Sequence, residues 1–178
     1  MPGVAVPSSL WMGHDDLDRL VRMAVERSAA LALYARQWLD AASADDVVQE
    51  ALVALLAERR PPDDPVAWMF RAVRNAAIDH ARSSARRKKR EESVAKERRE
   101  WFEGSADSVL DAQLAEQKLR QVPLELRQVV ILRIWGGLSF AQVGQIMQLS
   151  PSTVHERYAS ALEQMRSALE KPCSTNRT

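Results

Sequence analysis

The stretch from Gly137 to Val154 contains two helix starts separated by only one short helix and a turn. Ser139 followed by Gln142 is a capping-box pattern, in which a hydroxyl and an amide satisfy backbone N–H groups at the beginning of a helix. Val143, Ile146 and Met147 give that helix an apolar face. Gln148 and Leu149 form the turn. Ser150 can cap a second helix, and Pro151 suits its first position, where a missing N–H breaks no intrahelical bond. The second helix presents Val154, Tyr158, Ala161, Leu162, Met165 and Leu169 inward and leaves Ser152, His155, Glu156 and Ser160 outward. Two helices joined this tightly either pack as a plain αα-hairpin or place the second helix in a DNA major groove. Such turns often use glycine to reach a left-handed backbone. Gln148 stands in that place and would adopt it at a cost of about 1 kcal/mol.

The rest of the chain is built from the same material. Among 178 residues glycine is rare, 46% are apolar and 28% charged, and helix formers such as Ala, Leu, Arg, Gln and Glu dominate. The predicted class is all-α. The spacing of Leu17, Leu20, Val21, Ala24, Val25, Leu31 and Tyr34 predicts a helix over Asp15–Leu39. A break over Asp40–Ala44 follows. Ser43 can cap the next helix, with Asp45 and Asp46 in its first turn, where acids suit the helix dipole. That helix carries Val47, Val48, Leu52, Leu55 and Leu56 to about Glu58. Arg59–Pro65 must be a loop, because its three prolines each lack the donor a continuing helix needs. Another helix starts near Pro65, carries Trp68, Met69, Val73, Ala76, Ala77 and Ile78, and continues into a charged stretch from Arg82 to Arg99.

Trp101–Ser108, with Gly104 and Ser105, reads as a linker. Beyond it, Leu110, Leu114 and Leu119 mark a helix that stops by Pro123. A further helix over Leu124–Trp135 ends at Gly136-Gly137. The expected organisation is a loose N-terminus over 1–13, a helical domain over 14–100, a linker over 101–109, a helix-turn-helix domain over 110–170 and a tail over 171–178.

Net charge is only +1, but it is unevenly spread. Acids outnumber bases up to Arg60. From Arg71 to Arg90 the bases dominate and Asp79 is the lone acid, which fits either a local nucleic-acid surface or a solvated basic helix end. The single cysteine, Cys173, makes no internal disulfide and no cysteine-based zinc site. No apolar run is long enough to span a membrane, so membrane insertion is not expected. The first residues lack the basic start and apolar core of a secretory signal. A cytoplasmic location is expected, and no cofactor or metal is.

Two separated segments resemble one family. Asp45-Asp46-Val-Val-Gln-Glu-Ala-Leu52, followed by the run from Trp68 to Arg82, resembles the second conserved region of bacterial sigma factors. The run from Val122 through the helix-turn-helix to Leu169 resembles their fourth. A short chain with these two regions alone resembles the extracytoplasmic-function (ECF) group of the sigma-70 family. The resemblance implies a factor that binds core RNA polymerase and directs transcription initiation at promoters. It implies that Asp46, Gln49 and Glu50 dock on the β′ clamp helices, an acidic and amide face suited to a basic partner. It implies that the loop with Arg59 and Arg60, together with Trp68, Arg71, Arg74, Asn75 and Arg82, meets the minus-ten element. There an aromatic can stack on a base, an amide can bond its edge, and arginines can hold phosphates. A tryptophan at such a position is more often a core residue than a stacking platform. Arg86–Arg90 can continue the basic track. Ser150, Ser152, Thr153, His155, Glu156, Arg157 and Ser160 are implied as the recognition-helix surface. The β flap of polymerase and an anti-sigma factor are further implied partners.

The chain departs from the family at several places. Leu52 stands where an aromatic is usual. His155, Ala159 and Ser160 replace positions that commonly carry basic or aromatic residues, and Glu156 adds a negative charge. Each missing phosphate contact weakens binding and its salt dependence. Two other readings stay open: a helix-turn-helix regulator that never joins polymerase, and a polymerase-binding decoy that has lost promoter recognition. An enzyme is not expected. Asp79-His80 resembles the acid–imidazole pairs of metal hydrolases, but neighbouring helix residues point about 100° apart and do not converge on one ion.

Overall fold

A computed structural model describes residues 14–58, 60, 62–90, 119 and 121–170. The chain divides into two compact units, residues 1–101 and 102–178. Every regular element among the described residues is a helix. The expected loose N-terminus, the linker around Gly104, the helix marked by Leu110 and Leu114, and the charged stretch beyond Arg90 lie outside the described residues.

In the first unit, α1 (His14–Ala35), α2 (Ala41–Ala57) and α3 (Pro65–Arg90) pack against one another. Their apolar stripes meet in one core: Leu20, Ala24, Leu31 and Tyr34 from α1, Ala44, Val47, Ala51 and Leu55 from α2, and Met69, Phe70, Val73 and Ala77 from α3. The Tyr34 ring meets Trp38 edge-on at 5.3 Å and Phe70 at 5.7 Å, a favoured arrangement of ring quadrupoles. Burial pushes the Tyr34 hydroxyl pKa up, opposed by the adjacent Arg74 guanidinium.

Two sequence expectations change here. The first helix stops at Ala35 rather than Leu39, and the chain turns through Arg36–Trp38 on hydrogen bonds from Gln37 N to Tyr34 O and from Trp38 N to Ala35 O. Val21 and Val25 lie beside the buried stripe of α1, not in it, and are 40% and 66% exposed. Asp40, not Ser43, caps α2: its carboxylate accepts the Ser43 N–H at 2.9 Å. Burying Ala44 in phase with Val47, Ala51 and Leu55 requires the helix to be formed already at Ala41. Asp45 and Asp46 therefore fall beyond the first turn.

The loop after α2 ends at Asp64. Its carboxylate accepts the Ala67 N–H at 3.0 Å, and its carbonyl accepts the Trp68 N–H at 3.0 Å. Pro65 thus takes the first helical position of α3, as its missing donor favours.

In the second unit, α4 (Leu124–Ile134), α5 (Phe140–Met147) and α6 (Pro151–Glu170) enclose a separate core. Val129, Val130, Ile131 and Leu132 of α4 are fully buried against Leu138, Val143, Ile146, Val154 and Ala161. Leu119 and Val122 join the buried set. Gly137 takes φ 66° after the end of α4, a backbone that glycine adopts without steric cost. Leu162 was expected inward and is 40% exposed. The buried stripe of α6 runs through Val154 and Ala161, and Leu162 sits one residue around from it. The Leu169 side chain lies outside the described residues.

The helix-turn-helix forms as its caps predict. Ser139 and Gln142 close a complete capping box. Gln148 does take the left-handed conformation, at φ 58° and ψ 47°. The turn closes with Leu149 N donating to Gly144 O at 2.9 Å. The chain comes back so near that a Cβ on Gly144 would sit 2.6 Å from the Leu149 carbonyl oxygen.

Two stability outcomes follow from these local geometries. Gln148→Gly relieves the left-handed strain and should stabilise the second unit by up to about 1 kcal/mol, read as a raised Tm. Asp40→Ala should destabilise the first unit by about 1 kcal/mol at neutral pH. The Ser43 N–H holds the Asp40 carboxyl below its usual range, against a smaller opposing effect of burial. A depressed folded pKa means the cap's contribution is complete above the ordinary Asp value of about 3.9 and is lost as pH falls through the lower folded value. Denaturant melts of both proteins from neutral to strongly acid pH should therefore converge at the acid end.

Candidate polymerase and nucleic-acid surfaces

On α2 the residues that miss the core form one strip. Asp46, Gln49 and Glu50 are all exposed, and their spacing of three and four residues places them side by side. Val53 continues the same strip one turn on and is 66% exposed. Sequence reading missed Val53. The signal available was an aliphatic residue in phase with the acids rather than with Val47, Ala51 and Leu55.

On α3 the exposed strip has the opposite chemistry. Trp68, Arg71, Asn75 and Arg82 fall within about a quarter-turn of one line along the helix at 3.6 residues per turn. Arg71, Asn75 and Arg82 are exposed and Trp68 is half-buried, between the core and the surface. Arg82 lies 3.8 Å from Asp79, both well exposed, a pair that solvent screens to little effect. Arg74 lies about a quarter-turn from the midline of the strip. It is half-buried, with its guanidinium against the Tyr34 hydroxyl. Arg60 is exposed. Arg59 lies outside the described residues, as do the side chains from residue 87 to 90.

In the second unit the residues expected on the recognition helix divide into those facing solvent and those already engaged. Ser150, Ser152, His155, Glu156 and Ser160 are exposed, while Thr153 and Arg157 are half-buried. The Ser150 hydroxyl accepts the Thr153 N–H at 3.1 Å and lies 2.8 Å from both the Ser152 and Thr153 hydroxyls. It is spent as a cap. Arg157 sits 3.6 Å from the Glu125 carboxylate at the start of α4. A ring cluster lies behind His155. The Phe140 ring meets His155 at 5.2 Å and Tyr158 at 5.7 Å, both near edge-on. The Arg133 guanidinium lies over the Phe140 ring at 4.3 Å and donates to the Leu138 carbonyl. Nothing in the local spacing announced this cluster, because its members come from three different helices.

Among the described residues no group of three His, Cys, Asp or Glu side chains could hold a metal ion, and no helix is long and apolar enough to cross a membrane.

Comparison with known proteins gives one answer for both units. The family profile for sigma-70 region 2 matches residues 25–87, and that for sigma-70 region 4 matches residues 112–165. The chain is 31% identical over 155 residues to the RNA polymerase sigma-H factor of Pseudomonas aeruginosa, covering 79% of this chain and 80% of that protein. It is 32% identical over 154 residues to the ECF RNA polymerase sigma factor SigL of Mycobacterium tuberculosis, covering 82% and 86%. The fold resembles that of the sigma factor RpoE of Bartonella quintana, solved with the anti-sigma factor NepR, at a TM-score of 0.71 and 20% identity over 87% of this chain and 98% of that one. It also resembles CnrH, solved with the cytosolic domain of CnrY, at a TM-score of 0.59 and 22% identity, covering 91% and 92%. The chain therefore belongs to the ECF group of the sigma-70 family, factors that bind RNA polymerase and direct transcription initiation at promoters.

Proposed function

We propose that the two faces of the first unit divide polymerase from DNA. The observation that carries this reading is the opposite chemistry of two strips in one small domain: acids, an amide and an exposed valine on α2, and arginines, an asparagine and a tryptophan on α3. The α2 strip of Asp46, Gln49, Glu50 and Val53 suits the β′ clamp helices. Charge complementarity steers the encounter, and the valine adds apolar contact at one end of the strip. The α3 strip suits a melted minus-ten element. Arg71 and Arg82 neutralise phosphate, Asn75 offers both a donor and an acceptor to a base edge, and Trp68 offers the exposed part of a ring for stacking. Arg60 stands on the loop before that strip. Arg74 supports the strip from beneath, and its half-buried guanidinium is a poorer phosphate ligand than its sequence position implied.

The second unit reads the minus-thirty-five element with Ser152, His155, Glu156 and Ser160 and meets the β flap. Its outward surface on α6 is hydroxyl, imidazole and carboxylate, with Arg157 compensated by Glu125. Promoter melting therefore rests mainly on the first unit, and the second contributes upstream choice with modest affinity. An anti-sigma factor is a fitting regulator, since RpoE and CnrH, both similar in fold, were solved with NepR and CnrY. The protein acts in the cytoplasm and has no catalytic role of its own.

Reconstitution with core polymerase tests the division. Asp46→Lys with Glu50→Lys should lower affinity for core by about tenfold or more at low salt, with helicity unchanged; unaltered affinity would remove the α2 surface from the reading. Arg71→Ala with Asn75→Ala should cripple open-complex formation in single-turnover transcription, while footprints on closed duplex survive. The salt slope of binding to a pre-melted promoter should fall by about one unit, the share of Arg71. These two residues are exposed, so the test avoids the packing lost with Arg74.

A further inference from the structure

The outward residues of α6 are not equally free to move. His155 is exposed, yet its ring rests edge-on against Phe140 at 5.2 Å and 73°. Phe140 is itself fixed. It opens α5 directly after the Ser139 cap, Tyr158 meets it at 5.7 Å, and the Arg133 guanidinium lies over its ring at 4.3 Å. Arg133 is anchored in turn by its bond to the Leu138 carbonyl and lies 6.0 Å from the Tyr158 ring. A stacked, hydrogen-bonded guanidinium is a rigid support, because the planar fork holds both contacts at once.

The other polar side chains on the same face lack such a support or are already used. Ser150, Ser152 and Thr153 bond among themselves, and Arg157 pairs with Glu125. Among the described outward residues of α6, His155 combines exposure with a fixed ring that can donate to or accept from a base edge. Holding a reading side chain in place before DNA arrives lowers the entropy lost on binding and penalises a misplaced partner.

We propose that Phe140 is a specificity-determining positioning residue: clamped by Arg133, its ring sets the orientation in which His155 reads the upstream promoter element. The inference rests on the reading of α6 as the recognition helix. Phe140 touches no DNA in this scheme and acts only through His155.

The test uses the full chain assembled with core polymerase and a promoter library randomised across the upstream element. Wild type, Phe140→Leu, His155→Ala, the double variant and Phe140→Tyr are compared for base preference at each position and for Tm. His155→Ala should weaken the preference at one or two base pairs. Phe140→Leu should weaken it at those same base pairs by about two- to tenfold, the double variant should add nothing further, and Phe140→Tyr should restore wild-type preference. Should Phe140→Leu unfold the domain, Arg133→Lys carries the same test, since it removes the planar group from the ring and keeps a donor for Leu138. A uniform loss of affinity with preference unchanged, or losses that add in the double variant, would overturn the proposal. So would an unaltered preference in His155→Ala. Absence of any upstream preference in the wild-type holoenzyme would instead count against the recognition-helix reading itself.

Discussion

A side-chain oxygen that accepts a backbone N–H fixes where α2, α3, α5 and α6 begin. Asp40 takes the N–H of Ser43, Asp64 that of Ala67, Ser139 that of Gln142 and Ser150 that of Thr153. A helix turns by about 100° per residue, so shifting any of these starts by one position would rotate every later side chain to a different face. The two strips of the first unit and the outward face of α6 are consequences of those starting points. In α3 the dependence is direct: the Asp64 cap holds the frame in which Phe70, Val73 and Ala77 face the core while Arg71, Asn75 and Arg82 face out.

That constraint also explains what could be read from the sequence. The all-α class, the proline loop, the capping box and the inward set of α5 were legible because each is a local rule with a local signature. The start of α2 was misplaced because Asp40 and Ser43 are both good caps, and only packing of Ala44 against the other helices chooses between them. Leu162 was misread for a related reason. Apolar residues beside a buried stripe fit a helical period about as well as residues within it, and exposure is decided by the neighbouring helix. The left-handed Gln148 runs against residue preference, yet the short path from Met147 to Ser150 leaves the backbone little alternative.

The candidate surfaces were legible in the same uneven way. Asp46, Gln49 and Glu50 were found from the family resemblance and share an exposed strip. Arg74 was grouped with the phosphate ligands from the same resemblance, and in the fold its guanidinium lies against the Tyr34 hydroxyl. The support behind His155 was invisible, since Arg133, Phe140 and Tyr158 belong to separate helices and only the folded unit brings them together. Contacts between elements carry little trace in one-dimensional spacing, whereas contacts within an element carry a strong one.

The Arg157–Glu125 pair, 3.6 Å apart with the carboxylate 72% exposed, changes what a phosphate gains at the recognition helix. Arg157 is compensated before any DNA arrives. On the proposed reading of α6, a phosphate engaging Arg157 would trade places with a carboxylate instead of meeting a free cation. Release of condensed counterions, the usual driving force for protein–DNA association, is correspondingly small at this residue. On that reading, upstream binding would draw less on nonspecific electrostatic attraction and more on the fit of particular bases, which would disfavour idle occupancy of random duplex.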